Sequence, residues 1–228
     1  MPQEKRMSGP DVEIAGRIAA GDHSAFESMM RAHNQQMFRI ARAILKDDAE
    51  AEDALQDAYL EAFRKIETFR GDARLSTWLT RIVINQALMR LRRQKRERVV
   101  MPFEQRTEGR EESRAVDAAD TRAASPGDLA MRSEVRRMIE RHLDGLPVAF
   151  RAVFVMRDVE DMSVEETAAC LSIPSATVRT RLFRARALLR QALAQDMDSA
   201  TMEVFGFAGE RCDRIVANVL ARATASPS

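Results

Sequence analysis

Apolar residues recur every three or four positions along most of this chain, and residues that break helices are scarce. Glycine and proline together account for 16 of the 228 residues (9 and 7), about 7% against about 12% in average proteins. Helical spacing with so few turn residues predicts helices joined by few connections. Hydrophobic residues at 45% and charged residues at 31% are globular values and exclude a chain that is disordered throughout. We therefore expect an all-α fold.

Several function classes are disfavoured by what the sequence lacks. No apolar run approaches the ~18 residues of a membrane span, and the polar stretch 1–11 has no apolar signal segment. The two cysteines, Cys170 and Cys212, are far apart and form no CxxC pair, which argues against a disulfide framework or zinc site. No nucleophile signature or glycine-rich phosphate loop is present. We expect a cytoplasmic protein that is not an enzyme and has no catalytic residues, metal, cofactor or membrane insertion.

The helical pattern covers two segments and fails between them. We predict two small helical domains, 11–96 and 130–194, joined by a flexible linker, 97–129, and followed by a short amphipathic extension, 201–222. A coil of the linker's length averages ~35 Å from end to end, which would let the two domains occupy separate sites. The predicted helix starts are Asp22 or Ser24, Asp47–Asp48, Ser76, Pro147, Ser163 with Glu166, and Ser175.

The segment 163–190 has the layout of a helix–turn–helix, with a tight break at 172–174. One face of its second helix would pack on the domain: Val178, Leu182, Ala185 and Leu189. The opposite face would point outward: Ala176, Thr180, Phe183 and Arg184. Five arginines and no acid lie between positions 176 and 192. A solvated basic helix is the alternative, but such a helix ordinarily mixes charges, so DNA binding is favoured.

An acidic stripe lies on the predicted third helix, where positions 46–61 hold seven acids and one base. Its members share one face: Glu50, Asp53, Asp57 and Glu61. Like charges at this spacing destabilise a helix, so an uncompensated stripe indicates a basic partner. A solvated surface is an equally consistent interpretation.

The segment 69–98 combines aromatic and basic residues. Phe69 and Trp78 lie in a glycine-containing loop and the helix after it, and that helix ends in a run of arginines and lysines. Rings for bases and cations for phosphates suit single-stranded nucleic acid. Trp78 alone is more typical of a core residue. The basic run could complement the helix dipole, but nucleic-acid binding is the favoured interpretation.

The predicted extension, 201–222, has an apolar stripe that includes Cys212, Ile215, Val216 and Val219. So short a helix needs tertiary packing to be stable. It could enlarge the core of the second domain or act as a regulatory latch on either domain. In both cases we expect Cys212 to face inward.

Three motifs in this order resemble the extracytoplasmic-function (ECF) class of bacterial RNA polymerase sigma factors, of the sigma-70 superfamily. They are AEDALQDAYLEAF (51–63), FRGDARLSTWLTRIVINQALMRLRRQKR (69–96) and DMSVEETAACLSIPSATVRTRLFRARALLR (161–190). The resemblance implies that 11–96 is sigma region two and 130–194 is sigma region four. It also implies a protein that binds core RNA polymerase and directs promoter-specific transcription initiation in a stress or envelope response, with an anti-sigma factor as a further partner.

The resemblance also implies three sets of functional residues. The positions that match the polymerase-binding pattern are Asp53, Gln56 and Asp57. The positions that match the capture of the melted −10 strand are Phe69, Arg74, Leu75, Trp78, Asn85, Arg90 and Arg93. The positions that match the −35 readers are Arg179, Thr180, Phe183 and Arg184. The chain departs from many relatives at Met89 and Arg90, where they carry an acid and an aromatic, and at Phe63, where they carry tryptophan.

A stand-alone helix–turn–helix regulator is the main alternative. It would need a dimerisation or effector domain, and 11–96 offers an acidic stripe and a basic run instead. An enzyme with a DNA-binding appendage lacks an active-site constellation. An adaptor that binds polymerase without DNA would have no use for the arginine-rich helix.

Overall fold

Helices make up all the regular structure in the computed structural model, which describes residues 9–100, 126–204, 214 and 216–219, with side chains over 9–96, 133–196, 214 and 216–219. The helices are α1 (Pro10–Ala19), α2 (His23–Leu45), α3 (Asp48–Lys65), α4 (Leu75–Val100), α5 (Pro126–Gly145), α6 (Val148–Phe154), α7 (Val164–Leu171) and α8 (Ser175–Val204). A 3-10 turn, Ile66–Thr68, follows α3, and a π-helical turn, Val155–Val159, follows α6. The predicted all-α class is confirmed.

The helix starts follow local capping chemistry. Asp22, rather than Ser24, caps α2 by accepting a hydrogen bond from the Ala25 amide at 3.0 Å, and Asp47 caps α3 through the Glu50 amide at 2.8 Å. The prediction for α4 is wrong by two residues, because the helix begins at Leu75 and Ser76, the expected cap, lies inside it. The Leu75 amide donates instead to Asp11 of α1 at 2.8 Å, so a carboxylate distant in sequence does the work expected of a serine cap.

The helices α1–α4 surround one hydrophobic core. Met37 of α2, Ala58 of α3, and Leu79 and Val83 of α4 are each at most 1% exposed within it. This core fixes one face of α3 and one face of α4, and it leaves the opposite face of α3 open to solvent.

The chain consists of two compact units, one that ends at Leu188 and one that begins at Leu189. Within the first unit, α6 and α7 pack against α2 and α4. The apolar cluster at this contact includes Ile40 and Ile44 of α2, Ile84 of α4, and Ala152 and Met156 of the later helices. The sequence offered no sign of this contact. The predicted linker, 97–129, lies outside the described residues except at its two ends, where α4 continues to position 100 and α5 begins at 126.

A buried arginine occupies the centre of this contact. Arg151 of α6 is 2% exposed and donates hydrogen bonds to the carbonyl oxygens of Ala43, Leu146 (2.9 Å), Asp144 (3.3 Å) and Ile44 (3.4 Å). Arg42 of α2 forms a bidentate pair with the Asp144 carboxylate at 2.8 and 2.9 Å. The carbonyls of Ala43 and Ile44 near the end of α2 are therefore satisfied by a side chain of α6, and a carboxylate of α5 pairs with Arg42.

Cys170 of α7 lies at the same contact. Its thiol is 3.6 Å from the Thr77 carbonyl of α4, and burial raises its pKa to about 12. The thiol is therefore protonated at neutral pH and acts as a small apolar group.

The second unit holds the end of α8, which continues to Val204, beyond position 194, where the predicted second domain ends. Helical residues also occur at 214 and 216–219. Two members of the predicted apolar stripe are exposed, Val216 at 51% and Val219 at 59%. The other two members, Cys212 and Ile215, lie outside the described residues, and so does the prediction for Cys212.

Candidate partner and nucleic-acid interfaces

The acidic stripe lies on the solvent face of α3. The opposite face of this helix is almost completely buried and consists of small and apolar residues: Ala51, Ala54, Leu55, Ala58, Tyr59 and Ala62. The side chains of Asp53 and Asp57 are 60% and 48% exposed, and Gln56 is exposed beside them. These three predicted polymerase-binding residues are therefore grouped on one accessible surface.

Arg90 of α4 reaches across this surface and compensates part of its charge. One terminal nitrogen of its guanidinium lies 2.5 Å from a carboxylate oxygen of Asp57. The other terminal nitrogen lies 3.2 Å from a carboxylate oxygen of Glu50 and 3.5 Å from one of Asp53. The argument for an uncompensated stripe is therefore wrong, because the neutralising base comes from another helix. This base lies 33–40 residues away in sequence, so the spacing of charges within α3 does not reveal it.

The fourth member of the stripe has separate partners. Glu61 accepts a hydrogen bond from Lys65 at 2.5 Å and another from Gln86 of α4. The hydrogen bond from Lys65 lowers the pKa of the Glu61 carboxyl. The part of the stripe near Arg90 thus consists of Glu50, Asp53 and Asp57.

The loop between the 3-10 turn and α4, together with the first turn of α4, presents half-buried aromatic rings. Phe69 and Trp78 meet edge to face, with ring centroids 5.8 Å apart and planes at 63°, and both pack at the margin of the core. Arg74 is exposed beside them. Leu75 is only 1% exposed, so its side chain supports the loop from the core and does not reach solvent.

The basic run on α4 divides between two surfaces. Asn85 and Arg93 are exposed, and Arg93 lines an open depression together with Met89, Arg92 and Arg96. Arg90 turns toward the α3 carboxylates instead. The structure therefore separates Arg90 from the other arginines of the predicted −10 set.

The helix–turn–helix forms as predicted at α7 and α8. Ser163 and Glu166 make a reciprocal capping box with bonds of 3.0 and 2.8 Å, and the Ser163 backbone amide lowers the pKa of the Glu166 carboxyl. Ser172 takes a left-handed conformation (φ 53°) at the break between the helices. These features fix where α8 begins.

The two faces of α8 are those that the helical spacing predicts. Val178 and Ala185 are fully buried, whereas Phe183 is 70% exposed. Thr180 and Arg184 are exposed on the same side, and the Thr180 hydroxyl donates to the Ala176 carbonyl at 3.0 Å. A guanidinium nitrogen of Arg179 lies 3.7 Å from a carboxylate oxygen of Glu165. The four predicted −35 residues thus share one accessible surface.

Over the described residues, no group of three or more metal-ligating side chains comes together. Among the described helices, none combines the length and apolar composition that crossing a membrane requires.

Comparison with protein families matches both halves of the chain. The model for Sigma-70 region 2 matches residues 29–97, and the model for Sigma-70, region 4 matches residues 136–189. The first match contains the acidic stripe, the loop and the basic run, and the second contains the helix–turn–helix.

Curated relatives are similar over most of the chain. The ECF RNA polymerase sigma factor SigM of Mycobacterium tuberculosis is 36% identical over 184 residues, which is 80% of this chain and 84% of that protein. The RNA polymerase sigma-H factor of Pseudomonas aeruginosa is 31% identical over 80% of this chain and 93% of its own length. The ECF RNA polymerase sigma-E factor of Escherichia coli K12 is 30% identical over 77% and 90%.

Two solved structures share the fold. The sigma factor RpoE in complex with the anti-sigma factor NepR from Bartonella quintana superposes with a TM-score of 0.58 at 21% identity, covering 74% of this chain and 96% of that one. CnrH in complex with the cytosolic domain of CnrY gives a TM-score of 0.57 at 24% identity, covering 82% and 99%.

Proposed function

The chain belongs to the extracytoplasmic-function sigma factors of the sigma-70 family, and from this premise we propose how its surfaces divide the work of transcription initiation. As a sigma factor, it binds core RNA polymerase and promoter DNA. We assign core binding to Asp53, Gln56 and Asp57 of α3, and promoter binding to the loop before α4, the exposed side of α4 and the outward face of α8. The sigma regions would span 11–96 and 130–194.

The observation that carries this assignment is the accessible face of α8. The opposite side of α8 is buried in the core, and its outward side carries Phe183, Arg184 and Thr180. The capped helix α7 and a tight turn come directly before α8. Such a helix can enter a major groove, where an arginine reads base edges. Transcription in vitro with core polymerase, with start sites mapped across a genome, tests the proposed function. A failure to initiate at discrete sites would contradict it.

Arg184→Ala is expected to weaken binding to the −35 element by about 1–3 kcal/mol and to relax preference at one base position. The matched control is Arg186→Ala on the same helix, whose guanidinium is held by Asp158 at 2.6 and 2.7 Å. Base-by-base selection of −35 sequences measures both. A selection profile for Arg184→Ala that equals that of the unmodified protein would remove Arg184 from the readers.

The double substitution Phe69→Ala, Arg74→Ala is expected to slow promoter opening and to leave first docking intact, because this loop would contact bases only after the strands part. Permanganate reactivity reports the open bubble, and footprinting reports the closed complex. Phe63→Ala is a control for loss of an aromatic ring elsewhere on this domain, since Phe63 stacks on His23. Equal loss of both signals would assign the loop to folding or to core binding.

Engagement of both promoter elements requires the two sigma regions to separate. The −35 and −10 elements lie about 25 base pairs apart, roughly 85 Å at about 3.4 Å per pair. A compact chain of about 190 residues is only roughly 40 Å across. We therefore propose that α5–α8 leave α2 and α4 when the chain binds a promoter, and that residues 97–129 link the separated parts.

The remaining elements of the proposal follow from this role. The chain would perform no chemistry of its own and would act in the cytoplasm, where polymerase and promoter DNA are found. A stress or envelope response and an anti-sigma partner fit the same class. A stand-alone helix–turn–helix regulator is not favoured, because the region 2 match accounts for the N-terminal half.

A further inference from the structure

Arg90 holds an unusual position relative to the surface assigned to core polymerase. Its guanidinium contacts all three carboxylates at the centre of the stripe, Glu50, Asp53 and Asp57. Its side chain is 26% exposed, less than any of the three carboxylates it contacts. An internal cation therefore already occupies the place that an external cation would need.

The geometry shows how strongly Arg90 is held. It uses one oxygen of each carboxylate, and only the bond to Asp57 is short, at 2.5 Å. Its Nε is buried and makes no hydrogen bond. Among guanidinium–carboxylate pairs, the two-pronged pair with a single carboxylate is a strong and geometrically specific form. Arg90 is instead spread over three, so a partner that offers a two-pronged bond can displace it.

The net charge of this surface also indicates that Arg90 opposes the binding of a basic partner. Three carboxylates and one guanidinium leave a net charge of −2 at this surface, by subtraction of one pair from three acids. Removal of the guanidinium would leave −3 and free the three carboxylate oxygens that it now contacts for a basic partner. Because electrostatic attraction governs encounter and specificity at charged interfaces, Arg90 reduces the attraction of the stripe for any basic surface.

We propose that Arg90 is an internal competitor for the basic side chains of core polymerase, and that it lowers the affinity of this sigma factor for the enzyme. The inference rests on the proposed function of the stripe. Arg90 thereby belongs to the polymerase-binding surface, not to the set of residues that bind the −10 strand.

Arg90→Gln is expected to tighten binding to core polymerase about fivefold to tenfold at low salt and to steepen the decline of affinity with salt, because one more uncompensated charge takes part. Binding is measured without DNA, so that loss of a phosphate contact cannot contribute. The matched control is Arg92→Gln, which makes the same charge change at an exposed position of the same helix and should leave affinity within twofold. Thermal unfolding of each variant checks the fold.

A second variant keeps the test decisive if Arg90→Gln unfolds. Arg90→Lys retains the charge but can bond only one or two of the carboxylates, and a twofold to threefold gain in affinity is expected.

Unchanged or weaker binding by a folded Arg90 variant would overturn the proposal, and weaker binding would make Arg90 a positioning residue. If reversal of Asp53 and Asp57 also leaves core binding unchanged, the proposed function of the stripe fails. If that reversal abolishes binding, only the role of Arg90 fails.

Discussion

Reversing the charge of Asp53 and Asp57 together (Asp53→Lys, Asp57→Lys) is expected to weaken binding to core RNA polymerase by ~100-fold or more, about 3 kcal/mol. Both carboxylates are exposed on α3 and would meet basic groups of the partner. The new lysines would repel those groups, and Arg90 could no longer bridge to this end of α3. Titration of labelled core polymerase with each protein measures the effect.

The fold is expected to survive this change, because neither side chain contributes to the core of α1–α4. The matched control is Glu52→Lys with Glu67→Lys, which makes the same net charge change at two other exposed acids and should alter affinity by less than threefold. Native-like circular dichroism with unchanged core affinity in the Asp53/Asp57 variant would contradict the assignment of the stripe.

Local signals predicted the helices and much of the site. The caps at Asp22, Asp47 and Ser163 lie within three residues of the amides they satisfy, so a short window of sequence contains all the participants. The same holds for α8, where spacing alone separates buried Val178 from exposed Phe183. Side-chain direction on a regular helix follows from its period and needs no knowledge of the rest of the fold.

Several features that the sequence did not predict depend on distant pairs. The cap of α4 by Asp11 joins residues 64 apart, and the contact of Arg90 with Glu50 joins residues 40 apart. The residues next to each member in sequence do not identify its partner. Arg90, for example, stands in a run of basic residues from which nothing in the sequence distinguishes it. The packing of α3 beside α4 is what brings Arg90 to the carboxylates.

Arg151 is the most extreme example, since its contact with Ala43 spans 108 residues. Helical spacing predicts that Phe150, Val153 and Phe154 lie on the inner side of α6. From its residue type alone, the arginine among them is expected to be exposed to solvent. In the structure it is one of the largest fully buried side chains. Burial lowers the pKa of its guanidinium, yet an arginine stays charged in proteins, so its bonds to four carbonyls offset the cost of removing that charge from water.

Arg151→Met is accordingly expected to destabilise the first unit by about 3 kcal/mol, because the carbonyls of Ala43 and Leu146 lose their donor in a site that excludes water. For a chain of this size the midpoint of thermal unfolding should fall by roughly 6–12 °C. Arg141→Met, at an exposed position of α5, is the control and should shift the midpoint by less than 2 °C, as for an ordinary surface change. An unchanged midpoint for Arg151→Met would mean that α6 does not hold α2 in solution.

Transcription by the same variant shows whether this contact belongs to the working form. If α5–α8 must leave α2 and α4 to reach both promoter elements, the bonds of Arg151 to Ala43 and Ile44 exist only before promoter binding, and their loss weakens the closed form alone. Arg151→Met should then initiate transcription at least as well as the unmodified protein at temperatures where it remains folded, although its unfolding midpoint is lower. Activity that falls in step with stability would instead show that α6 stays on α2 in the initiating complex, and the proposed separation would be wrong.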